Sequence, residues 1–159
     1  MRVGILTISD LGAQGKRPDA SGDAIAEFVA EQGWDLSWRG IVPDAVQEIA
    51  QALIEMADGM HLDVVLTTGG TGLSPRDVTP EATAGVLTRT VPGIAEAMRQ
   101  QGLTKTPRAM LSRGVAGLRG ETLVVNLPGS PSGVRDGLDV LRPILVHAVE
   151  IARHIPTDH

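Results

Sequence analysis

The chain has 159 residues, enough for one domain with a sizeable core and too few for two ordinary ones. Hydrophobic residues make up 42% and charged residues 21%, the balance of a water-soluble globule, and the net charge of −5 argues against a nucleic-acid-backbone binder, which presents a basic face. Aromatics at 2% leave few platforms for stacking bases, and the absence of Cys excludes disulfides, iron–sulfur clusters and thiolate catalysis.

In chain order, residues 3–8 (Val-Gly-Ile-Leu-Thr-Ile) read as a buried strand that ends in the polar pair Ser9-Asp10. This apolar run is too short for a signal-peptide core, and nothing approaches the roughly 20 apolar residues of a membrane span. A cytoplasmic protein without a membrane partner is therefore expected. A polar loop follows to Asp19. Ser21 then reads as the N-cap of a helix to about Gln32, with Ile25, Phe28 and Val29 inward. A strand is expected over residues 36–42. Asp44 stands where the next helix should begin, and Val46, Ile49, Ala50, Leu53, Ile54 and Ala57 keep the helical spacing of one apolar face.

Residues 62–66 form another apolar strand, which runs directly into Thr67-Thr68-Gly69-Gly70-Thr71-Gly72. Thr79-Pro80-Glu81 has the pattern of an N-cap, Pro at the first helical position and an acid in the first turn, opening a short helix to about Leu87. Pro92-Gly93 opens another to about Gln101. Residues 102–120, rich in Gly, Arg and Thr, give no clear element. A last strand spans residues 122–126, ends in the turn Pro128-Gly129-Ser130-Pro131, and leads into helix to Ile155 that Pro143 should kink or divide. Strands alternating with helical crossovers predict a three-layer α/β fold, a mostly parallel sheet with helices on both faces, across residues 1–159 as one domain. Ligands in such sheets bind along the carboxyl edge, so the turns at Ser9-Asp10, Pro43-Asp44, 67–72 and 127–130 should converge there.

Three glycines within residues 69–72 let the backbone take positive φ and let a ligand approach successive amides, which form an anion-binding nest. The loop is neither a Walker loop nor a dinucleotide fingerprint; by itself it is equally a tight turn. Arg76 offers a planar fork to phosphate and Asp77 a hard oxygen to Mg²⁺, or the two form a surface ion pair. Asp44, with Gln47 three residues on, is either a helix cap or a second metal ligand. Ser130 and Pro131 suit the start of a helix and would aim its amides at an anion. Ser9 and Asp10 are ordinary turn formers or further ligand contacts. His61, His147, His154 and His159 make no metal-ligating pattern, and no Ser-His-Asp order suggests acyl transfer.

Thr67-Thr68-Gly69-Gly70-Thr71-Gly72 followed by Arg76-Asp77-Val78-Thr79-Pro80-Glu81-Ala82 resembles the signature of the molybdopterin-binding MogA/MoaB family. That family includes bacterial molybdopterin adenylyltransferases and the N-terminal domain of gephyrin. The resemblance extends through Ile8-Ser9-Asp10, Ser21-Gly22, Leu111-Ser112-Arg113 and Asn126-Leu127-Pro128-Gly129-Ser130, nearly the whole chain. It implies a commonly trimeric three-layer α/β fold. The implied reaction is transfer of AMP from ATP to molybdopterin with release of pyrophosphate, dependent on Mg²⁺, and the product would pass to a molybdenum-insertion protein downstream. Two acidic positions important in the family fall on Asp44 and Asp77, as metal ligands. Ligand contacts are expected at Ser9, Asp10, Thr68, Gly69, Gly70, Thr71, Gly72, Arg76, Ser112, Asn126, Pro128, Gly129 and Ser130. The attacking group would be the pterin's own phosphate, whose second pKa of about 6 makes a general base unnecessary. Two alternatives remain: a molybdopterin-binding scaffold without adenylyl transfer, and a hydrolase like the related competence-damage-type domain, which the run 76–80 fits less well.

Overall fold

The computed structural model describes residues 1–154; the predicted end of the last helix at Ile155, and His159, lie outside them. The described elements are β1 (Arg2–Ile8), α1 (Asp10–Ala13), α2 (Ala20–Glu31), β2 (Asp35–Val42), α3 (Val46–Ile54), β3 (Val64–Thr68), α4 (Thr79–Val86), β4 (Arg89–Thr90), α5 (Pro92–Leu103), β5 (Ala116–Arg119), β6 (Thr122–Leu127), α6 (Pro131–Leu141) and α7 (Leu145–Ala152). A wide π turn, Glu55–Gly59, continues α3, and a 3₁₀ turn, Pro107–Leu111, follows α5.

The sheet has six strands in the order β2-β1-β3-β6-β5-β4. The first four are parallel, and β5 runs antiparallel between β6 and β4. Alternate residues of the three central strands face opposite sides, as the two-residue strand period requires. Ile5, Leu66 and Val125 join a core with Ile25, Phe28, Leu138 and Leu145, which places α2, α6 and α7 on one face. Leu6, Val65 and Val124 join a second core with Ile49, Leu53, Met56 and Val86, which places α3 and α4 on the other. The expected three-layer α/β architecture is therefore present. No helix among the described residues is long and apolar enough to cross a membrane.

Several boundaries differ from the sequence expectation for definite reasons. Helix α2 is capped by Asp19, whose carboxylate accepts from Gly22 N at 3.0 Å, so Ser21 is not the cap. The segment expected to be loop before Asp19 contains the single turn α1, capped by Ser9. Helix α4 takes Thr79 as its first residue, and the Thr79 hydroxyl donates to Gly69 O at 2.9 Å instead of capping. Strands β4 and β5 had no predicted counterpart, since Arg89-Thr90 is too short and Ala-Gly-Leu-Arg too poor in β-branched residues. A Cβ on Gly117 would fall inside van der Waals contact with the Arg89 carbonyl, so glycine is what lets these strands approach.

Leu53 is fully buried against the β1–β3 face. Leu53→Ala is expected to cost about 2–5 kcal/mol in denaturant unfolding, the range for deleting a buried Leu. A loss under about 0.5 kcal/mol would mean that α3 does not anchor this core.

Candidate functional site

Strand β1 connects outward to β2 on one side, whereas β3 lies on its other side and leads to β6. The order thus reverses between β1 and β3, and a crevice opens beyond their carboxyl ends, as it does in open parallel sheets. A cavity of about 450 Å³ lies there, within the range of small-molecule sites. Ser9 follows β1, Asp44 follows β2, Thr68 ends β3 with Gly69 and Gly70 after it, and Gly129 and Ser130 follow β6; all line the cavity, as does Asp77.

The glycine loop is held by constraints that exclude side chains. Gly69 has φ +98° and Gly70 φ +68°. A Cβ on Gly69 would collide with the Ile8 carbonyl oxygen, and one on Gly70 with the Thr79 hydroxyl. Thr79 N donates to Gly70 O at 3.1 Å, and Thr68 Oγ1 donates to Pro128 O at 2.6 Å, tying the loop to α4 and to the β6 turn. Ser130 caps α6 by accepting from Gly133 N at 3.1 Å, so the N-terminus of an 11-residue helix borders the cavity.

Asp10 and Asp44 are reciprocally bonded. Asp10 N donates to Asp44 Oδ2 and Asp44 N donates to Asp10 Oδ1, both at 3.0 Å. Asp44 is therefore not a helix cap; α3 begins two residues later, after Ala45, with no side-chain cap. Burial raises the Asp44 carboxyl above the ordinary Asp value, and the charges of Asp10 and Asp77 push the same way, against the lowering effect of the Asp10 amide. Arg76 places its fork on Asp10, with Nε 3.0 Å from Oδ2 and Nη2 2.9 Å from Oδ1. This hydrogen bond is the main cause of the lowered Asp10 pKa. Arg76 was expected to meet a phosphate; here its fork is occupied by a carboxylate. Asp77 Oδ2 accepts from Ser74 N at 3.0 Å, within a turn closed by Asp77 N to Ser74 O at 2.9 Å.

Other expected contacts stand back from the cavity. Asn126 is 1% exposed, donates to both Thr67 and Thr83 hydroxyls at 3.0 Å, and accepts from Val115 N at 3.2 Å. Its amide is satisfied within the fold, which makes it a tie between β3, α4 and the 113–115 segment. Ser112, Thr71, Gly72 and Pro128 likewise do not line the cavity, nor do Asp10 and Arg76 themselves. Sequence reasoning passed over Arg17 and Asp19, which do line it. Asp19 is fixed by Thr7 Oγ1 at 2.9 Å and by Arg39 at 2.9 Å. It also passed over Arg113, whose guanidinium reaches the carbonyls of Gly72 and Asp77, both at 2.8 Å. The only sequence signal for Arg113 was its place beside Ser112 in the quoted run.

Among the described residues no group of three or more His, Cys, Asp or Glu is arranged to hold a metal ion. Asp44 and Asp77 fit Mg²⁺ in a different manner, because that ion commonly takes one or two carboxylates together with water and substrate phosphates. Each has one oxygen committed to a backbone amide, which orients the carboxylate and leaves hard oxygen to offer.

The model of a probable molybdopterin binding domain matches residues 4–147 of the sequence. The chain belongs to this molybdopterin-binding MogA/MoaB family. Among its relatives, a molybdopterin adenylyltransferase of Helicobacter pylori is 39% identical over 153 residues, covering 95% of this chain and 87% of that one. A molybdenum cofactor biosynthesis bifunctional protein of Chlorobaculum tepidum is 42% identical over 92% of this chain and 47% of its own length. The crystal structure of the molybdopterin biosynthesis enzyme MoaB of Thermus thermophilus superposes with a TM-score of 0.92 at 51% identity, covering 99% of both chains. The MogA/MoaB resemblance read from the motifs is thus met across the fold as well as the sequence.

Two expectations follow from the geometry. Gly69→Ala should lose at least about 1 kcal/mol to backbone strain alone, plus the cost of moving the Ile8 carbonyl, and should empty the cavity of ligand. Unchanged thermal stability together with unchanged ligand binding would contradict the close approach. For Asp44 the folded-state pKa is raised, so the cost of its charge is present above that pKa and is relieved as pH falls through it towards the ordinary Asp value. Asp44→Asn should therefore be no less stable than the parent near neutrality without metal, and its advantage should shrink through that window. Denaturant titrations across pH would show the reverse trend if burial were not the dominant cause.

Proposed function

We propose that the chain transfers AMP from ATP to the terminal phosphate of molybdopterin, releasing pyrophosphate, within molybdenum cofactor biosynthesis. The observation that carries this reading is the placement of two carboxylates, Asp44 and Asp77, beside a side-chain-free glycine loop at one cavity. It is supported by 39% identity, over nearly the whole chain, to a molybdopterin adenylyltransferase.

In this reading residues 1–159 act as one molybdopterin-binding domain. The amides of Gly69 and Gly70 and the α6 N-terminus at Ser130 receive phosphate oxygens, and Ser9, Thr68 and Gly129 shape the wall that seats the ligands. Asp44 and Asp77 would hold Mg²⁺ together with the nucleotide's phosphates, and the ion would supply charge neutralisation there. An oxygen of the pterin phosphate forms the new bond to the α-phosphorus of ATP as the bond to the bridging oxygen breaks and pyrophosphate leaves. The attacking oxygen is already ionised near neutral pH, which accounts for a site furnished with carboxylates and amides and no general base. Arg76 lies one exchange away from a phosphate, since its fork can pass from Asp10 to an incoming anion.

The protein is further proposed to work in the cytoplasm as a homotrimer. The exposed Leu103, Met110 and Leu111 supply apolar surface for subunit contacts. The product is proposed to pass to a molybdenum-insertion protein. The part of the bifunctional relative beyond the 47% matched here leaves room for such a further activity on one chain.

Purified chain with ATP, Mg²⁺ and molybdopterin should release pyrophosphate, and Mg²⁺ removal should stop it. Asp77→Asn should lower turnover by about a hundredfold or more, as loss of a principal electrostatic group does, while pterin binding is largely kept. Tight pterin binding by the parent chain without any pyrophosphate would instead support a scaffold. Undiminished turnover in Asp77→Asn would remove Asp77 from the metal site.

A further inference from the structure

We propose that Arg113 is a positioning residue that holds the Asp77 carboxylate in its metal-binding orientation by bridging the two ends of the 72–77 loop. This proposal rests on the adenylyl-transfer reading for the role of Asp77.

The loop needs an external brace. Leu73, Ser74, Pro75 and Arg76 are all exposed, with Leu73 64% so, and contribute nothing to either core. Within the loop, Ser74 and Asp77 bond to each other, which fixes the carboxylate relative to its own turn, while the exposed Arg76–Asp10 pair ties only the outer side of that turn. Arg113 holds the base. Its Nε donates to Gly72 O at 2.8 Å, where the loop departs, and its Nη2 donates to Asp77 O at 2.8 Å, where it returns. Nη1 pairs with Glu81 on the first turn of α4, and Arg113 N donates to Thr71 O at 2.9 Å. One side chain and its own amide thus tie four points around the base of the loop.

Arg113 is itself held from behind. Arg99 on α5 donates through Nη1 to Ser112 O at 3.3 Å and Gly114 O at 3.0 Å, the carbonyls on either side of Arg113. Val115 N donates to Asn126 Oδ1, and Asn126 N donates to Val115 O at 3.0 Å, which fastens the segment to β6. The brace therefore runs from two rigid elements through residue 113 to the carboxylate. Only a guanidinium can serve it: a planar fork spans two carbonyls and a carboxylate at fixed angles, whereas a Lys ammonium of the same charge is a single point. Groups that orient a metal ligand without touching the metal commonly change metal affinity by about 10–100-fold when altered.

The test uses the full chain, Mn²⁺ as a paramagnetic probe and a non-hydrolysable ATP analogue. Arg113→Lys should weaken Mn²⁺ binding, read by electron paramagnetic resonance, by about tenfold or more. Amide hydrogen exchange over residues 72–78 should quicken, and the Mg²⁺ concentration for half-maximal turnover should rise by a similar factor while kcat recovers at saturating Mg²⁺. Glu81→Gln, which leaves both carbonyl bonds in place, should bind Mn²⁺ within about twofold of the parent. Wild-type Mn²⁺ affinity in Arg113→Lys would overturn the proposal, even if its thermal midpoint fell. So would an equal loss in Glu81→Gln, since charge rather than bridging would then be responsible. If Arg113→Lys does not fold, Arg99→Lys takes its place: it should weaken Mn²⁺ binding in the same direction, and an unchanged affinity would count against the brace. A parent chain that binds Mn²⁺ and nucleotide but releases no pyrophosphate overturns the adenylyl-transfer reading alone, because the Mn²⁺ comparison still stands.

Discussion

At the carboxyl edge of the β1–β3 pair, the backbone of Gly69 passes so close to the carbonyl of Ile8 that no side chain fits between them. The two strands are parallel neighbours in register from Val3 with Val64 to Thr7 with Thr68, so this contact continues their pairing by one more step. The glycine loop can therefore turn at once, over the strand end, instead of rising away from the sheet. Everything else at the site takes its position from that turn. Thr79 reaches Gly69 and Gly70 and so starts α4 beneath the loop. Thr68 reaches Pro128, which brings in the β6 turn and the capped start of α6. A close backbone approach at one residue thus organises cavity-lining groups from three strands.

The second feature of the edge is its balance of charge. Burial raises Asp44, and Asp10 and Asp77 lie near enough that their charges add to the rise. Three amides and one guanidinium offset this repulsion in the structure: Asp44 accepts from the Asp10 amide, Asp77 from the Ser74 amide, and Asp10 from the Asp44 amide and from Arg76. The raised Asp44 reflects first its burial and then the charge that these donors leave uncompensated. A group that is costly to keep ionised in the fold and sits on a cavity is the arrangement a cation relieves, which is what supports the proposed metal role of Asp44.

Much of this was legible in the sequence. The central strands announce themselves as short apolar runs ending in polar turns, because a strand buried on both faces has no polar alternation to obscure it. The convergence of Ser9, Asp44, the glycine loop and Ser130 followed from parallel topology alone. What was not legible depended on distance in the folded chain. Ser21 and Asp19 are both competent caps, and only the fold shows that Asp19 also receives Thr7 and Arg39. Asp44 reads as a cap because it precedes a helix, but its partner is Asp10, 34 residues away. Arg113 lies in a stretch with no periodicity, and its partners at Gly72 and Asp77 are about as far off in sequence. Asn126 is 1% exposed, with its side-chain amide bonded to Thr67, Thr83 and Val115, partners that no local pattern reveals.

The fork of Arg76 on Asp10 has a further implication. A guanidinium that waits in solvent gains its full attraction to an arriving phosphate, an attraction that added salt screens. Arg76 already has a carboxylate for a counterion, so recruiting it exchanges one anion for another with little net change in the ionic atmosphere. Nucleotide affinity in this chain should then depend only shallowly on ionic strength, and more on whether the released Asp10 finds a cation of its own.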